Sequence, residues 1–174
     1  MKPEKLLVCI MFIGLTALAC SRQQVHSENS EETAMEEDDS FPVSKSEEEW
    51  RDELREEEFY ILREQGTEPA GSGDLLDVKE NGVFTCAGCG QELFHSDAKF
   101  HSGTGWPSFW EPVSGSSVEE RPDPGLLGTR TEIICARCGG HLGHVFEDGP
   151  EPSGLRYCIN SLALDFEQRS ESSK

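Results

Sequence analysis

Cys135-Ala-Arg-Cys138-Gly-Gly-His141-Leu-Gly-His144-Val-Phe146-Glu-Asp148-Gly149 opens with two cysteines separated by two residues, and Cys86-Ala-Gly-Cys89-Gly90 repeats the pattern with 45 residues between the pairs. Two residues between cysteines let both thiolates of a tight knuckle face one tetrahedral ion at a metal–sulfur distance of about 2.3 Å. The glycine after each second cysteine permits the turn that aims backbone N–H groups at the sulfurs. Two such knuckles make a closed Cys86, Cys89, Cys135, Cys138 site for one structural Zn2+, with no coordination position left for catalysis. A redox Cys-x-x-Cys of the thioredoxin kind belongs at the start of a helix after a buried strand, whereas both pairs here lie in glycine-rich turns. Ordinary disulfides, or a mixed site using His141 or His144, are the other readings of the same residues.

Around the pairs, Gly, Pro and Ser recur every few residues from about Gly71 onward, and Gly82-Val-Phe-Thr85, Thr131-Glu-Ile-Ile134 and Arg156-Tyr-Cys-Ile159 read as short strands. Ser46-Glu-Glu-Glu49 is a capping-box pattern that opens a stretch with Trp50, Leu54, Tyr60 or Ile61, and Leu62, closing at Gly66; one or two short helices fit there. The fold expected is mainly β and antiparallel, behind short N-terminal helices.

The chain has 174 residues, with 15 Lys+Arg against 34 Asp+Glu and a net charge of −19, enough for one domain plus ends. That charge repels a phosphate backbone, and no run of Lys or Arg offsets it, so nucleic acid is excluded as a partner. Met1-Lys-Pro-Glu-Lys5 followed by 13 apolar residues from Leu6 to Leu18 reads as a secretory signal peptide over residues 1–19. The run is shorter than the roughly 17–25 residues a transmembrane helix needs. Cys20 after Ala17-Leu-Ala19 resembles a bacterial lipobox with Ala17 and Leu18 in reversed order, and Ala17-Leu-Ala19 is equally an ordinary cleavage site. Residues 20–45 are rich in acids, Ser and Gln, and read as a solvated tether. The expectation is export to a bacterial cell envelope, with a lipid anchor at Cys20 holding a monomeric domain (residues 46–168) at the membrane surface, and a disordered tail at 169–174.

With Cys9 in the signal, Cys20 at the anchor and four thiols on metal, Cys158 is left over. An odd cysteine in an exported protein is a candidate reactive thiol, though free cysteines are also among the most buried structural residues. On a strand, Arg156, Cys158 and Asn160 share a face, and a guanidinium beside a thiol favours the nucleophilic thiolate. His141, His144 and Asp148 supply imidazoles and a carboxylate as a proton source.

Taken together, His101-Ser-Gly-Thr104-Gly-Trp106-Pro-Ser-Phe109, Cys138-Gly-Gly-His141-Leu-Gly-His144-Val-Phe146-Glu-Asp148-Gly-Pro150 and Arg156-Tyr-Cys158-Ile-Asn160-Ser161 resemble the signatures of the peptide methionine-(R)-S-oxide reductases. The resemblance covers about residues 46–168. It implies two antiparallel sheets with short N-terminal helices, a structural zinc on the two cysteine pairs, and Cys158 as the catalytic cysteine. It further implies that His141, His144, Asp148, Arg156 and Asn160 shape the pocket, that Trp106 and Phe146 bind substrate, and that Trp106 walls the S-methyl group. His144, or His141 with Asp148, is then the acid that protonates the sulfoxide oxygen, and a thioredoxin-like or other thiol is the reductant. Many relatives carry a resolving cysteine where this chain has Thr104, and an aromatic residue within Gly66-Thr-Glu-Pro-Ala-Gly-Ser-Gly73, where this chain has none. A zinc-stapled binding module and a disulfide exchanger built on the cysteine pairs are the competing classes; the first does not require Cys158 beside Arg156 and two histidines, and bound zinc with no free pair would exclude the second.

Overall fold

A computed structural model describes residues 41–125 and 128–169. The expected signal peptide at 1–19, the expected lipidation site Cys20, residues 20–40 of the expected tether and the tail from 170 lie outside the described residues.

The capping-box pattern forms as expected: Ser46 Oγ accepts the Glu49 N–H at 3.3 Å and Glu49 Oε2 accepts the Ser46 N–H at 2.9 Å. Helix α1 (Glu47–Glu53) starts there and stops where Leu54 turns extended, and helix α2 (Glu56–Leu62) follows. Each first turn carries three glutamates, which complement the positive end of a helix dipole. Seven-residue helices are marginal alone, so packing must hold them. Trp50 from α1 and Phe59, Ile61 and Leu62 from α2 are all buried. None of the described helices is long and apolar enough to cross a membrane.

Among the described residues nine strands follow, all paired antiparallel. Strands β1 (Gly82–Cys86), β2 (Glu92–His95) and β9 (Leu164–Gln168) form a three-stranded sheet in the order β2-β1-β9. The other sheet has the order β3-β4-β8-β7-β6-β5. Its strands are β3 (Lys99–Phe100), β4 (Ser108–Phe109), β5 (Val118–Gly125), β6 (Gly128–Cys135), β7 (His141–Phe146) and β8 (Arg156–Ile159). The three apolar runs read as strands lie within β1 and β6 and make up all of β8, and two antiparallel sheets behind two short helices are the expected architecture.

Aromatic rings join the two sheets. Phe94 of β2 stacks on Phe109 of β4 with centroids 4.4 Å apart, and Phe84 of β1 meets the same ring edge-on at 5.0 Å. Tyr157 of β8 lies 5.8 Å from Phe94. All three phenylalanines are fully buried.

At both ends, residues assigned by sequence to free segments are docked. Within the expected tether, Val43 N–H donates to Arg137 O at 2.9 Å, Phe41 lies under the Arg121 guanidinium at 5.2 Å, and Lys45 pairs with Glu53. Apolar Phe41 and Val43 give this stretch surface to bury, which the acidic residues before it lack. At the other end, Arg169 donates from its backbone to Asn81 O at 3.0 Å and pairs with Glu92 at 2.6 Å.

Removing the central ring should therefore cost heavily. Phe94→Ala is expected to destabilise the domain by about 3–5 kcal/mol, read as a fall in the urea midpoint without change in slope. A loss under about 1 kcal/mol would mean the two sheets are held together elsewhere.

Candidate active site

The site grows out of sheet register. In antiparallel sheets, directly opposed residues share a face. Ser108 on β4 pairs with Cys158 on β8, Cys158 with His144 on β7, His144 with Glu132 on β6, and Glu132 with Arg121 on β5. One cross-strand row thus carries a hydroxyl, a thiol, an imidazole and a carboxylate. The neighbouring rows set Arg156 opposite Phe146 and Arg130 opposite Asp123.

Simple alternation along β7 puts His141 and His144 on opposite faces. The register instead slips at Ile133/Ile134, where Gly143 and His141 face successive residues of β6, and the two rings come within 5.5 Å. His144 Nε2 is 2.8 Å from Asp123 Oδ2, which also holds Arg130 at 2.5 Å. That pairing, with His144 first and Arg130 second, keeps the Asp123 carboxyl below the usual range. His141 Nδ1 is 2.6 Å from Glu132 Oε1 in a buried pair; burial lowers the imidazole's affinity for a proton, and Glu132 opposes that.

Asp148 is not the partner of His141. It takes Arg156 bidentately, at 2.8 and 2.9 Å, and is itself exposed. The β7–β8 turn folds Asp148 back over Arg156, and the carboxylate on His141 comes from β6 instead. Asp148 foremost, with Cys158 contributing, keeps the Arg156 guanidinium protonated, and that guanidinium also lies 4.4 Å from the Phe146 ring.

A cavity of about 170 Å3 opens beside Cys158, lined by Thr67, Trp106, Arg130, His144, Phe146 and Asn160, with Gly143 at its edge. Larger hollows, such as those behind Lys99 and along α2, contain neither Cys158 nor a histidine of this cluster. Glu68 organises one wall. Its buried carboxylate accepts the N–H groups of Ser161 and Leu162 at 2.6 and 3.0 Å, its carbonyl accepts Trp106 Nε1–H at 3.2 Å, and its N–H donates to Asn160 Oδ1 at 3.2 Å. Asn160 Nδ2 donates onward to Leu142 O at 3.0 Å. Trp106 and Asn160 are thereby locked to one strap.

The four paired cysteines converge. Their sulfurs all lie within 4.8 Å of one another, with Cys86–Cys138 at 3.7 Å and Cys89–Cys135 at 3.6 Å. Sulfurs about 2.3 Å from a central ion would form a tetrahedron with edges of about 3.8 Å, so the set fits a four-thiolate metal site, and no disulfide joins these residues. Gly90 and Gly139 occupy left-handed turns, and their N–H groups close on the carbonyls of Cys86 and Cys135 at 2.8 Å rather than on sulfur. The sulfurs of Cys89 and Cys135 instead accept the N–H groups of Gln91 and Arg137. Mutual hydrogen bonding, led by Cys135, raises the Cys86 thiol and lowers Cys89, a polarisation that a divalent cation resolves by taking four thiolates.

Of the residues singled out in the sequence, Cys158, His144, Asn160, Trp106 and Phe146 meet around one cavity, with Arg156 beside the thiol and His141 behind His144. Asp148 stands outside, acting on Arg156. Sequence reading missed Glu68, Asp123, Arg130 and Glu132. Nothing local marks Glu68, whereas the apolar alternation of β6 could have flagged Glu132 as a carboxylate in a strand running into the core.

Gly143 is required by close approach: a Cβ there would fall 2.1 Å from the Cys158 carbonyl oxygen. Gly143→Ala should force β7 and β8 apart, costing about 1–3 kcal/mol in urea denaturation and changing the alkylation rate of Cys158. Wild-type values for both would show that the strands do not touch there.

The chain matches the SelR domain model over residues 54–168. It is 56% identical to the peptide methionine sulfoxide reductase MsrB of Methanosarcina barkeri over 74% of this chain and 91% of that protein. The protein of that name from Leptospira interrogans is 51% identical over 74% of this chain and 98% of its own length. That of Acinetobacter baumannii is 50% identical, over 74% and 93%. With the match spanning both sheets, the cysteine cluster and Cys158, the chain belongs to the MsrB family of peptide methionine sulfoxide reductases.

Proposed function

We propose that this chain reduces the R epimer of methionine sulfoxide in peptides and proteins, using Cys158 as nucleophile. The observation that carries the reading is the placement of Cys158 Sγ between a guanidinium, Arg156, and an imidazole, His144, at a small cavity walled by Trp106 and Phe146. Arg156, kept charged by Asp148, stabilises the thiolate, which is the attacking form. The thiolate attacks the electrophilic sulfoxide sulfur while His144 delivers a proton to the oxygen, which cannot leave as a bare anion. Asp123, 2.8 Å from Nε2, orients that imidazole. The substrate sulfur gains two electrons and departs as the thioether; Cys158 loses two and holds the oxygen as sulfenic acid.

Trp106, fixed by its bond to Glu68, gives the methyl group a flat apolar wall. The polar edge of the cavity, at His144 and Asn160, suits the oxygen. One enzyme class serves each sulfoxide epimer, and this division of the cavity into an apolar and a polar side would select one hand. Two equivalents of an external thiol, thioredoxin-like or other, then return Cys158 to the thiol, yielding a disulfide and water. Thr104 occupies the position where many relatives carry a resolving cysteine, and the other described cysteines are the clustered four, so the reductant acts on Cys158 directly. The four cysteines would hold a zinc ion whose role is to staple the fold. The leader and Cys20 support export to a bacterial envelope and lipid anchoring there, for repair of oxidised exported proteins.

Intact mass after a single turnover with an R-sulfoxide peptide, without reductant, should rise by about 16 Da in wild type and not in Cys158→Ser. His144→Asn should lower the turnover rate by roughly 10²- to 10⁴-fold. Sulfoxide reduction surviving Cys158→Ser would end the assignment. Stripping metal with a chelator should release one zinc per chain and lower the melting temperature; a metal-free preparation of equal stability would remove the staple.

A further inference from the structure

A row of three hydroxyls ends on Cys158. Ser108, buried and opposite Cys158 in the sheet, has its Oγ 3.1 Å from Trp106 O and 2.8 Å from Ser102 Oγ. Ser102 Oγ is 2.8 Å from Thr104 Oγ1, and Thr104 Oγ1 is 3.8 Å from Cys158 Sγ. A hydroxyl has one proton to donate and can accept two, so the row has two self-consistent orientations. With Cys158 as thiol, S–H donates to Thr104 and Thr104 to Ser102, while Ser108 donates to the Trp106 carbonyl. With Cys158 as thiolate, every hydroxyl turns: Ser108 donates to Ser102, Ser102 to Thr104, and Thr104 to the sulfur. Ser102 keeps the Thr104 N–H as a further donor, at 3.3 Å, in both. Passing from one orientation to the other needs only rotation of hydroxyl protons, with Ser108 exchanging the Trp106 carbonyl for Ser102 as its acceptor.

We propose that Ser108, Ser102 and Thr104 form a reversible hydrogen-bond row that offers Cys158 an acceptor as thiol and a donor as thiolate, making Thr104 a positioning residue for the nucleophile. This rests on Cys158 being the reactive thiol. The charged and titratable groups around that sulfur are Arg156 on its own strand, His144 on β7 with Asp123 behind it, and Arg130 on β6; the segment from Ser102 to Ser108 contributes hydroxyls. Arg156 acts on the thiolate by charge whichever way the hydroxyls point. The row adds a donor that exists only when the proton has left, and Ser108 sets its far end away from solvent.

The test is the pH dependence of Cys158 alkylation by iodoacetamide in the full zinc-loaded chain, followed peptide by peptide by mass spectrometry. Thr104→Val, similar in shape but without the hydroxyl, should move the midpoint upward by about one pH unit, leaving thiolate roughly tenfold scarcer below it. Thr104→Ser should restore the wild-type midpoint. Ser108→Ala, which leaves the group nearest the sulfur unchanged, should give a smaller upward move. A Thr104→Val curve that overlays wild type would overturn the proposal. A shift in Thr104→Val with none in Ser108→Ala would overturn the row, leaving Thr104 acting alone. The titration needs no sulfoxide: failure of wild type to reduce an R-sulfoxide peptide would defeat the reductase reading while these midpoints still decide the row.

Discussion

Four sulfurs brought within 4.8 Å of one another at the junction of the two sheets constrain everything else in this domain. Cys86 is the last residue of β1 in the small sheet, and Cys135 the last of β6 in the large one. Their knuckles must meet for the sulfurs to converge, which fixes one end of each sheet relative to the other. The helices cover this junction: Leu62 lies against Gly88 and Gly140, and Trp50 against Gly88, so the knuckle glycines leave room for core side chains. At β4 the same alignment is carried by aromatic packing, Phe84 and Phe94 on Phe109.

With the sheets aligned, the reactive centre follows from register. Cys158 lies in β8, near the middle of the six-stranded sheet, so its backbone is paired on both sides and its sulfur has neighbours on β4 and β7. A thiol on a loop would sample many positions; here it is held opposite Ser108 and His144 by ladder hydrogen bonds. The mobile part of the chemistry is reduced to protons and to the side chains that carry them.

Charge in the site is organised by carboxylates, each set against a basic side chain. Asp123 serves both His144 and Arg130, Glu132 serves His141, and Asp148 serves Arg156. Burying an imidazole without a partner is costly, and each histidine has a carboxylate at hydrogen-bond distance. The acidic excess of the chain therefore has a local use, supplying counter-charges to the basic groups that face the thiol.

Much of this was legible from residue order alone. The cysteine pairs announced a metal-binding cluster, because two-residue spacing is a local geometric requirement. The odd thiol Cys158 emerged by bookkeeping, and alternation by two correctly grouped it with Arg156. Capping chemistry marked the start of α1 at Ser46, since that hydrogen bonding closes within four residues. What sequence order could not supply was which carboxylate meets which base. Asp148 follows His141 closely along the chain, yet the strand carries it away, while Glu132 and Asp123 arrive from a hairpin whose register no local pattern encodes. The slip in β7 that brings two histidines to one side, and the use of Glu68 to lock Trp106 to Asn160, likewise exist only once strands from distant parts of the chain are paired. Local chemistry depends on spacing along the backbone; partners across a sheet depend on topology, which tertiary packing decides.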